Sequence, residues 1–425
     1  MTLVVFLTSL LGAMALGMPI AFALLVCSVA LMAQIGLFDP VVIAQNVFNG
    51  ADNFPLMAVP FFLLAGELMN AGGLSKRIVD FAIASIGHFH GGLGYVAIAA
   101  AVVMAAISGS AVADTAALGA LLLPMMKRAG YDPNRSGGLL AAGGIIAPVI
   151  PPSIGLIIFG VAASVSITKL FIAGIVPGLL MALSLVVTWW WLVKSENLTP
   201  VPKATWSARV RAARDGGWAL IMPVIIIGGL KFGIFTPTEA AVVAAVYALL
   251  VGGFVYRELK PAALYGIFLS TAKMTAVIMF LVATAMVSAW LITIANIPAQ
   301  IGALLGPLIG SPTLLLLMMM VLVVLVGTAL DFVPTVLILT PVLMPLVKQA
   351  GIDPVYFGVL FIINNAIGLI TPPVGIVLNV ICGVGKLRME ELIVAVWPFL
   401  ISQLAVLFLL VLFPQLVLAP LRWLY

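Results

Sequence analysis

Two short segments of the 425-residue chain gather the residue types that could handle an ion: Ser108-Gly109-Ser110-Ala111 and Gly327-Thr328-Ala329-Leu330-Asp331. Small residues let main chain approach closely, and hydroxyls with carbonyls offer oxygens to a hard cation such as Na⁺. A double proline follows each segment, in Ala147-Pro148-Val149-Ile150-Pro151-Pro152-Ser153 and in Gly368-Leu369-Ile370-Thr371-Pro372-Pro373-Val374-Gly375. Proline removes an amide donor and turns the preceding residue away from helical angles, so a pair at mid-span frees carbonyls from helical hydrogen bonding. Inside a membrane those carbonyls need a cation, a substrate, trapped water or a local repair.

The remaining polar residues divide between chemistry and structure. Asp331 is a carboxylate expected at membrane depth, where acids handle cations or substrate, or are paired or capping. Asp114 either joins a site or caps a helix turn. Asn364 and Asn365 could donate to a substrate oxygen or tie unwound chain. Lys273 reads as a counter-charge for an anion or, more simply, as a side chain snorkelling to the membrane edge. Glu67 and Glu239 fit helix ends and interfacial water. His88 and His90, two apart, fall on different helix faces and do not form a ligand pair. The Trp189-Trp190-Trp191 run fits an interfacial belt. Cys27 and Cys382, far apart in apolar stretches, suggest packing residues rather than a disulfide or a transition-metal site. No nucleophile with a neighbouring base and no metal triad is legible, which argues against an enzyme.

The elements that must hold these residues are membrane helices. Apolar residues make up 64% of the chain and charged ones 8%, which excludes a soluble globule. The net charge of +5 is better explained by basic cytoplasmic loops than by nucleic acid. The N-terminus lacks a basic leader pattern and reads as a retained helix. A shift of 221 positions superposes Pro124 on Pro345, Lys127 on Lys348, Ala129-Gly130 on Ala350-Gly351, Asp132-Pro133 on Asp353-Pro354, Pro151-Pro152 on Pro372-Pro373 and Pro177 on Pro398. We read an all-α polytopic membrane protein of two repeats, 1–193 and 216–425, joined by a basic cytoplasmic connector, 194–215. Each repeat is expected to hold about five crossings and one re-entrant hairpin, the hairpins at about 92–127 and 313–346 and the broken helices at about 137–161 and 356–385. The chain from Gly36 to Asn53 is expected as an external loop.

Basic residues flank the first hairpin on both sides, and each arm, at about 15 residues or roughly 22 Å, is too short to cross about 30 Å of hydrocarbon. Five crossings per repeat invert the second relative to the first and put both termini outside. That arrangement places 14 of the 19 Lys and Arg on the cytoplasmic side.

Taken together, Gly17-Met18-Pro19, the stretch Ser108 to Asp114, Pro151-Pro152-Ser153, and Asn365 with Thr371-Pro372-Pro373-Val374-Gly375 resemble the large membrane subunit of tripartite ATP-independent periplasmic (TRAP) transporters, the DctM or SiaM type. The resemblance covers essentially the whole chain. It implies a bacterial inner-membrane elevator, driven by Na⁺, that imports an organic acid such as sialic acid or a C4-dicarboxylate. It also implies two partners, a small four-helix membrane subunit and a periplasmic substrate-binding protein. Carried over by position, Ser108 and Ser110 lie at one sodium and substrate mouth, with Gly144, Ala147, Pro148 and Pro151 completing that cation site. Gly327, Thr328, Gly368 and Thr371 form the second, and Asp331 and Asn365 face the substrate. A stand-alone sodium-coupled anion symporter is the nearest alternative, ahead of a channel.

Overall fold

The computed structural model describes residues 2–424 apart from 195, 197, 305–309 and 329, so Ala329 of the second tip and part of the connector lie outside the described residues. It is all-helical, with no strand among the described residues. Among the described residues, seven helices are long and apolar enough to cross a membrane: Phe54–Ala71, Ile167–Val193, Trp206–Lys231, Pro237–Val255, Pro261–Ile294, Phe332–Gln349 and Met389–Leu412. Large apolar side chains such as Phe22, Leu183, Val187, Ile401 and Phe408 stand exposed on the surface. In a water-soluble protein such a surface would be costly, whereas lipid tails accept it.

A pair of helices flanks each tip, with returning arms of 18 residues, longer than the roughly 15 expected, and Phe332–Gln349 reaches crossing length. The first hairpin is Gly92–Ser108 and Ala111–Arg128, and the second is Pro312–Gly327 and Phe332–Gln349. The first arm, 17 residues, reaches about 25 Å, longer than expected yet still short of the hydrocarbon thickness. Two broken helices follow, Pro133–Gly144 with Ile154–Ala163, and Pro354–Gly368 with Ile376–Gly385. They begin four and two residues before the expected bounds, because Asp132 and Asp353 cap their first turns, accepting from Arg135 N at 2.6 Å and from Val355 N at 2.8 Å. The returning arms, 111–128 and 332–349, have the same length and sit 221 positions apart.

The chain from Gly36 to Asn53 differs from expectation. It contains the helix Pro40–Ala51, started by Asp39, whose carboxylate accepts from Val41 N at 2.8 Å. Its polar residues mark an exposed helix face rather than a loop, since helical Asn46 donates back to Val42 O.

Packing crosses between the halves. The first hairpin's returning arm lies on Ile376–Gly385, where a Cβ on Gly119 would come 2.6 Å from Ile381. The second's returning arm lies on Ile154–Ala163, where a Cβ on Gly155 would come 2.5 Å from the Phe332 ring. Between them Phe159 packs against Phe357 and Phe361 with ring centroids 6.3 and 5.7 Å apart. Hairpins and broken helices thus form one interlocked unit.

Candidate functional site

The first tip is built by Ser110, which starts the returning arm with its hydroxyl accepting from Ala113 N at 3.4 Å. Gly109 between the serines has φ +62, and a Cβ there would lie 2.5 Å from the Pro152 carbonyl and 3.1 Å from Ile154 N. Only glycine allows this turn to press against the double-proline break. Ser108 donates to Asp114 Oδ1 at 2.5 Å, and its oxygen accepts from Ser110 N at 3.2 Å. Asp114 is therefore not the helix cap; it fixes the Ser108 side chain from within the returning arm. Its second oxygen, Oδ2, is buried without a hydrogen-bond partner, as is Thr115 Oγ1. Gly144 abuts Thr115 closely enough that no side chain fits between them.

The first break is buried throughout from Ile145 to Ser153. Two of its groups are locally repaired: Ser153 Oγ donates to the Pro148 carbonyl and accepts from Leu156 N at 3.1 Å. The Gly144 carbonyl accepts from Ala147 N at 3.1 Å, leaving it one lone pair for a ligand. Pro151-Pro152 and Pro372-Pro373 are both cis.

At the second tip, Gly327 meets Gly368, whose Cβ, if present, would lie 3.0 Å from the Gly327 carbonyl carbon. Asn365 Nδ2 donates to Phe332 O at 2.8 Å and Asn364 Nδ2 to Met320 O at 2.6 Å, so both asparagines tie hairpin to broken helix. The amide oxygens of both are buried and unpartnered. Thr371 Oγ1 donates to Ile367 O at 2.8 Å, a local repair at a position not equivalent to Ser153, which aligns with Val374. Thr328 Oγ1 donates to Leu325 O at 2.7 Å. Asp331 caps the returning arm, accepting from Phe332 N at 2.7 Å, and is exposed at the surface. Unlike the first break, Pro373 and Val374 of the second are exposed.

The structure therefore brings Ser108, Ser110, Gly144 and the Pro152 carbonyl into one tip-and-break assembly and Gly327, Asn365, Gly368 and Thr371 into another, with Pro151 next to the first contact in the chain. Thr115 was not singled out in the sequence. The available signal was that it is the sole hydroxyl residue within Ala111–Arg128.

Other polar residues serve structure. Glu239 completes a capping box with Thr236, accepting from Thr236 N at 2.8 Å. His90 Nε2 lies 2.8 Å from the Val193 carbonyl. Lys273 stands exposed within Pro261–Ile294, well inside the helix. Trp189 leaves the expected belt: it is 1% exposed, donates to Gly91 O at 2.9 Å and stacks on Tyr131, while Trp190 and Trp191 remain exposed.

An all-helical apolar body with crossing-length helices and hairpins docked on broken ones defines a polytopic membrane protein. The family described as "Tripartite ATP-independent periplasmic transporter, DctM component" matches residues 7–416, and the chain belongs to it. It is 56% identical over 423 residues to the 2,3-diketo-L-gulonate TRAP transporter large permease protein YiaN of Escherichia coli (strain K12), covering all of both chains. It is 38% identical over 405 residues to the sialic acid TRAP transporter large permease protein SiaM of Vibrio cholerae, covering 95% of each. The C4-dicarboxylate TRAP transporter large permease protein DctM of Rhodobacter capsulatus is 35% identical over 424 residues, with 96% of each chain covered. Among solved structures, the Alcanivorax borkumensis YdaH transporter superposes with a TM-score of 0.64 over 87% of this chain and 86% of its own, at 17% identity, a likeness of fold. The chain is thus the large, multi-pass membrane component of a TRAP transporter.

Proposed function

We propose that this chain carries out sodium-coupled import of a small organic acid across the bacterial inner membrane by an elevator movement, working with a small membrane subunit and a periplasmic substrate-binding protein. The observation that carries the sodium reading is the set of buried, unpartnered side-chain oxygens beside the two tip-and-break contacts: Asp114 Oδ2 and Thr115 Oγ1 at one, Asn364 Oδ1 and Asn365 Oδ1 at the other. A buried acceptor without a donor is costly, and an all-oxygen set fits a hard cation. Ser108, Ser110 and the Gly144, Ala147, Pro148 and Pro151 carbonyls would hold one Na⁺. Gly327, Thr328, Gly368 and Thr371 would hold the second. Bound Na⁺ would supply the positive charge that an organic anion meets at membrane depth.

In this reading Asp331 and Asn365 face the substrate. A carboxylate only accepts hydrogen bonds, which suits the hydroxyls of a sugar-derived acid rather than its carboxylate. The 56% identity to the E. coli protein makes 2,3-diketo-L-gulonate the first substrate to try, beside sialic acid and a C4-dicarboxylate. Two repeats of opposite orientation, suggested by the 221-position correspondence, would let the interlocked hairpins and broken helices move as a body against the other helices.

The test is uptake into proteoliposomes holding this chain and the small subunit, with the binding protein outside. Uptake is expected to require an inward Na⁺ gradient and the binding protein. Uptake indifferent to the gradient would reject sodium coupling, and uptake without the binding protein would favour a stand-alone symporter.

A further inference from the structure

The helix Leu74–Ile86 joins two bodies. The chain enters it from Ala58–Ala71, one of the helices around the interlocked unit, and leaves it into the first hairpin. Each end is held by a different body. At its start the turn Gly72–Gly73 sits on the π turn Val251–Val255, which closes the helix Pro237–Leu250. A Cβ on Gly72 would lie 2.9 Å from Gly252 Cα, and Gly73, at φ +77, has Glu258 so close that no side chain fits. Glu258 N and Leu259 N both donate to Gly252 O at 3.1 Å, folding the chain after the π turn back over the two glycines.

Arg77 gathers this contact. Its Nη2 pairs with Glu258 Oε1 at 2.8 Å, its Nη1 donates to Gly73 O at 3.0 Å, and its guanidinium lies 3.7 Å from the centroid of the Tyr256 ring. The Arg77 side chain is 22% exposed, so water screens the pair less than it would on an open surface. Tyr256 OH donates to Asp215 O at 2.5 Å and Tyr247 OH to Trp218 O at 2.6 Å, which brings Trp206–Lys231 into the same assembly. One turn beyond Arg77, a Cβ on Gly216 would lie 3.3 Å from Phe81 Cβ.

The other end answers to the interlocked unit. Gly91 O accepts from Trp189 Nε1 at 2.9 Å, and His90 Nε2 lies 2.8 Å from Val193 O. Ile167–Val193, which carries both partners, presses Gly174 and Gly178 against Val149 and Ile150 of the first break. Leu74–Ile86 also packs along Gly92–Ser108, and there the two bodies meet side by side. The ties to one body thus end at Phe81, and those to the other begin at His90.

We propose that Arg77 is a fixed pin, which keeps the Gly72–Gly73 turn seated on the π turn throughout transport and confines displacement of the interlocked unit to residues 82–89. This rests on the elevator reading above. Lifting the turn would strip the guanidinium of its carboxylate, its carbonyl and its ring together, so the contact is either whole or lost. Main chain packed on main chain at Gly72 and Gly252 leaves no side chain to yield in between.

The test uses the full-length protein with its small subunit in proteoliposomes and the binding protein outside. The cargo is whichever of 2,3-diketo-L-gulonate, sialic acid and a C4-dicarboxylate the wild type takes up. In a Cys382→Ala background, Phe81→Cys with Gly216→Cys sets two thiols near the Cβ separation of about 3.5–4.5 Å that a disulfide adopts. Oxidation should leave the uptake rate unchanged, because the pin already holds this end. Adding Arg77→Gln should slow uptake of the reduced protein about fivefold, the equivalent of one partly buried ion pair, and oxidation should restore it. A disulfide that stops uptake in the Arg77 protein, with recovery on reduction, overturns the pin. So does an Arg77→Gln protein that transports at the wild-type rate, or one that the disulfide does not rescue. If Arg77→Gln fails to assemble, the disulfide in the Arg77 protein decides alone. A second pair, Gly66→Cys with Ser108→Cys, bridges the surrounding helices to the first tip, where a Cβ on Gly66 lies 3.5 Å from Ser108 Cβ. Uptake by this oxidised pair equal to that of its own reduced form would defeat the elevator reading itself.

Discussion

Ser110 and Asp331 occupy equivalent starts of the two returning arms, and each already caps its helix. Replacing a cap by Ala costs about 0.5–2 kcal/mol, which an assembled membrane protein can absorb. If these residues also face the cargo, Ser110→Ala and Asp331→Ala abolish uptake while the complex still purifies intact. Near-normal uptake in both removes them from the site. Gly109 makes a sharper residue-scale test because two penalties coincide: φ +62 and the Pro152 carbonyl 2.5 Å from a new Cβ. Gly130, at φ +85, has open space around it. Gly130→Ala should therefore cost only the backbone strain, about 1 kcal/mol. Gly109→Ala should lower folded yield and melting temperature far more, and equal effects would show that the tip does not press on the break. His88 carries a pH dependence. A histidine held below its ordinary value binds fewer protons folded than unfolded between the two values, so stability falls as pH drops through the ordinary imidazole range. Melting temperatures at about pH 7.5 and about pH 5.5 should differ less in His88→Gln than in the wild type.

At the scale of elements, much of the hairpin and break architecture was legible because its punctuation is local. Ser110 and Asp331 start helices, Gly130 and Gly351 end them with positive φ, and Asp132-Pro133 and Asp353-Pro354 start the next. The same shift of 221 that aligns these residues aligns the returning arms. What stayed hidden depends on which face of a helix is turned inward. Pro40–Ala51 reads as loop because Asn, Gln and Gly interrupt its apolar residues, yet one capped turn and a helical face suffice. Trp189 looks like its two neighbours, and only the helix register, which also buries Val193 one turn on, sends it into the core. The roles of Asp114 and Asn365 were open because each is decided by a partner on another helix that only the folded chain brings close: the hydroxyl of Ser108 and the carbonyl of Phe332. The capping box at Thr236 gives this scale its prediction. Thr236→Ala removes the bond from Glu239 N and half of a reciprocal pair, so it should lower the melting temperature by an amount equivalent to about 1 kcal/mol. Uptake per folded complex should be unchanged. A loss of uptake with unchanged melting would instead assign Thr236 to transport.

The whole molecule turns on the orientation of its two halves. Lys127 and Lys348 stand in the last turns of the two returning arms, both exposed and 221 positions apart. Their local surroundings match: each arm is followed by Ala-Gly with a left-handed glycine and then by an Asp-capped helix. Any difference in their access to a water-soluble reagent therefore reports sidedness rather than local burial. The native thiols complicate this little, since Cys27 is buried and Cys382 can be replaced by Ala. With Lys127→Cys and Lys348→Cys made singly in that background, a membrane-impermeant maleimide applied to intact, right-side-out cells stripped of their outer membrane should label position 348. Position 127 should react only after permeabilisation. The bias of basic residues requires this, because Lys127 lies in the region rich in Lys and Arg and Lys348 does not. Labelling of both from one face would leave two hairpins entering from the same side, and a body with both tip-and-break contacts open to the same compartment could not alternate access by a symmetric exchange of its halves.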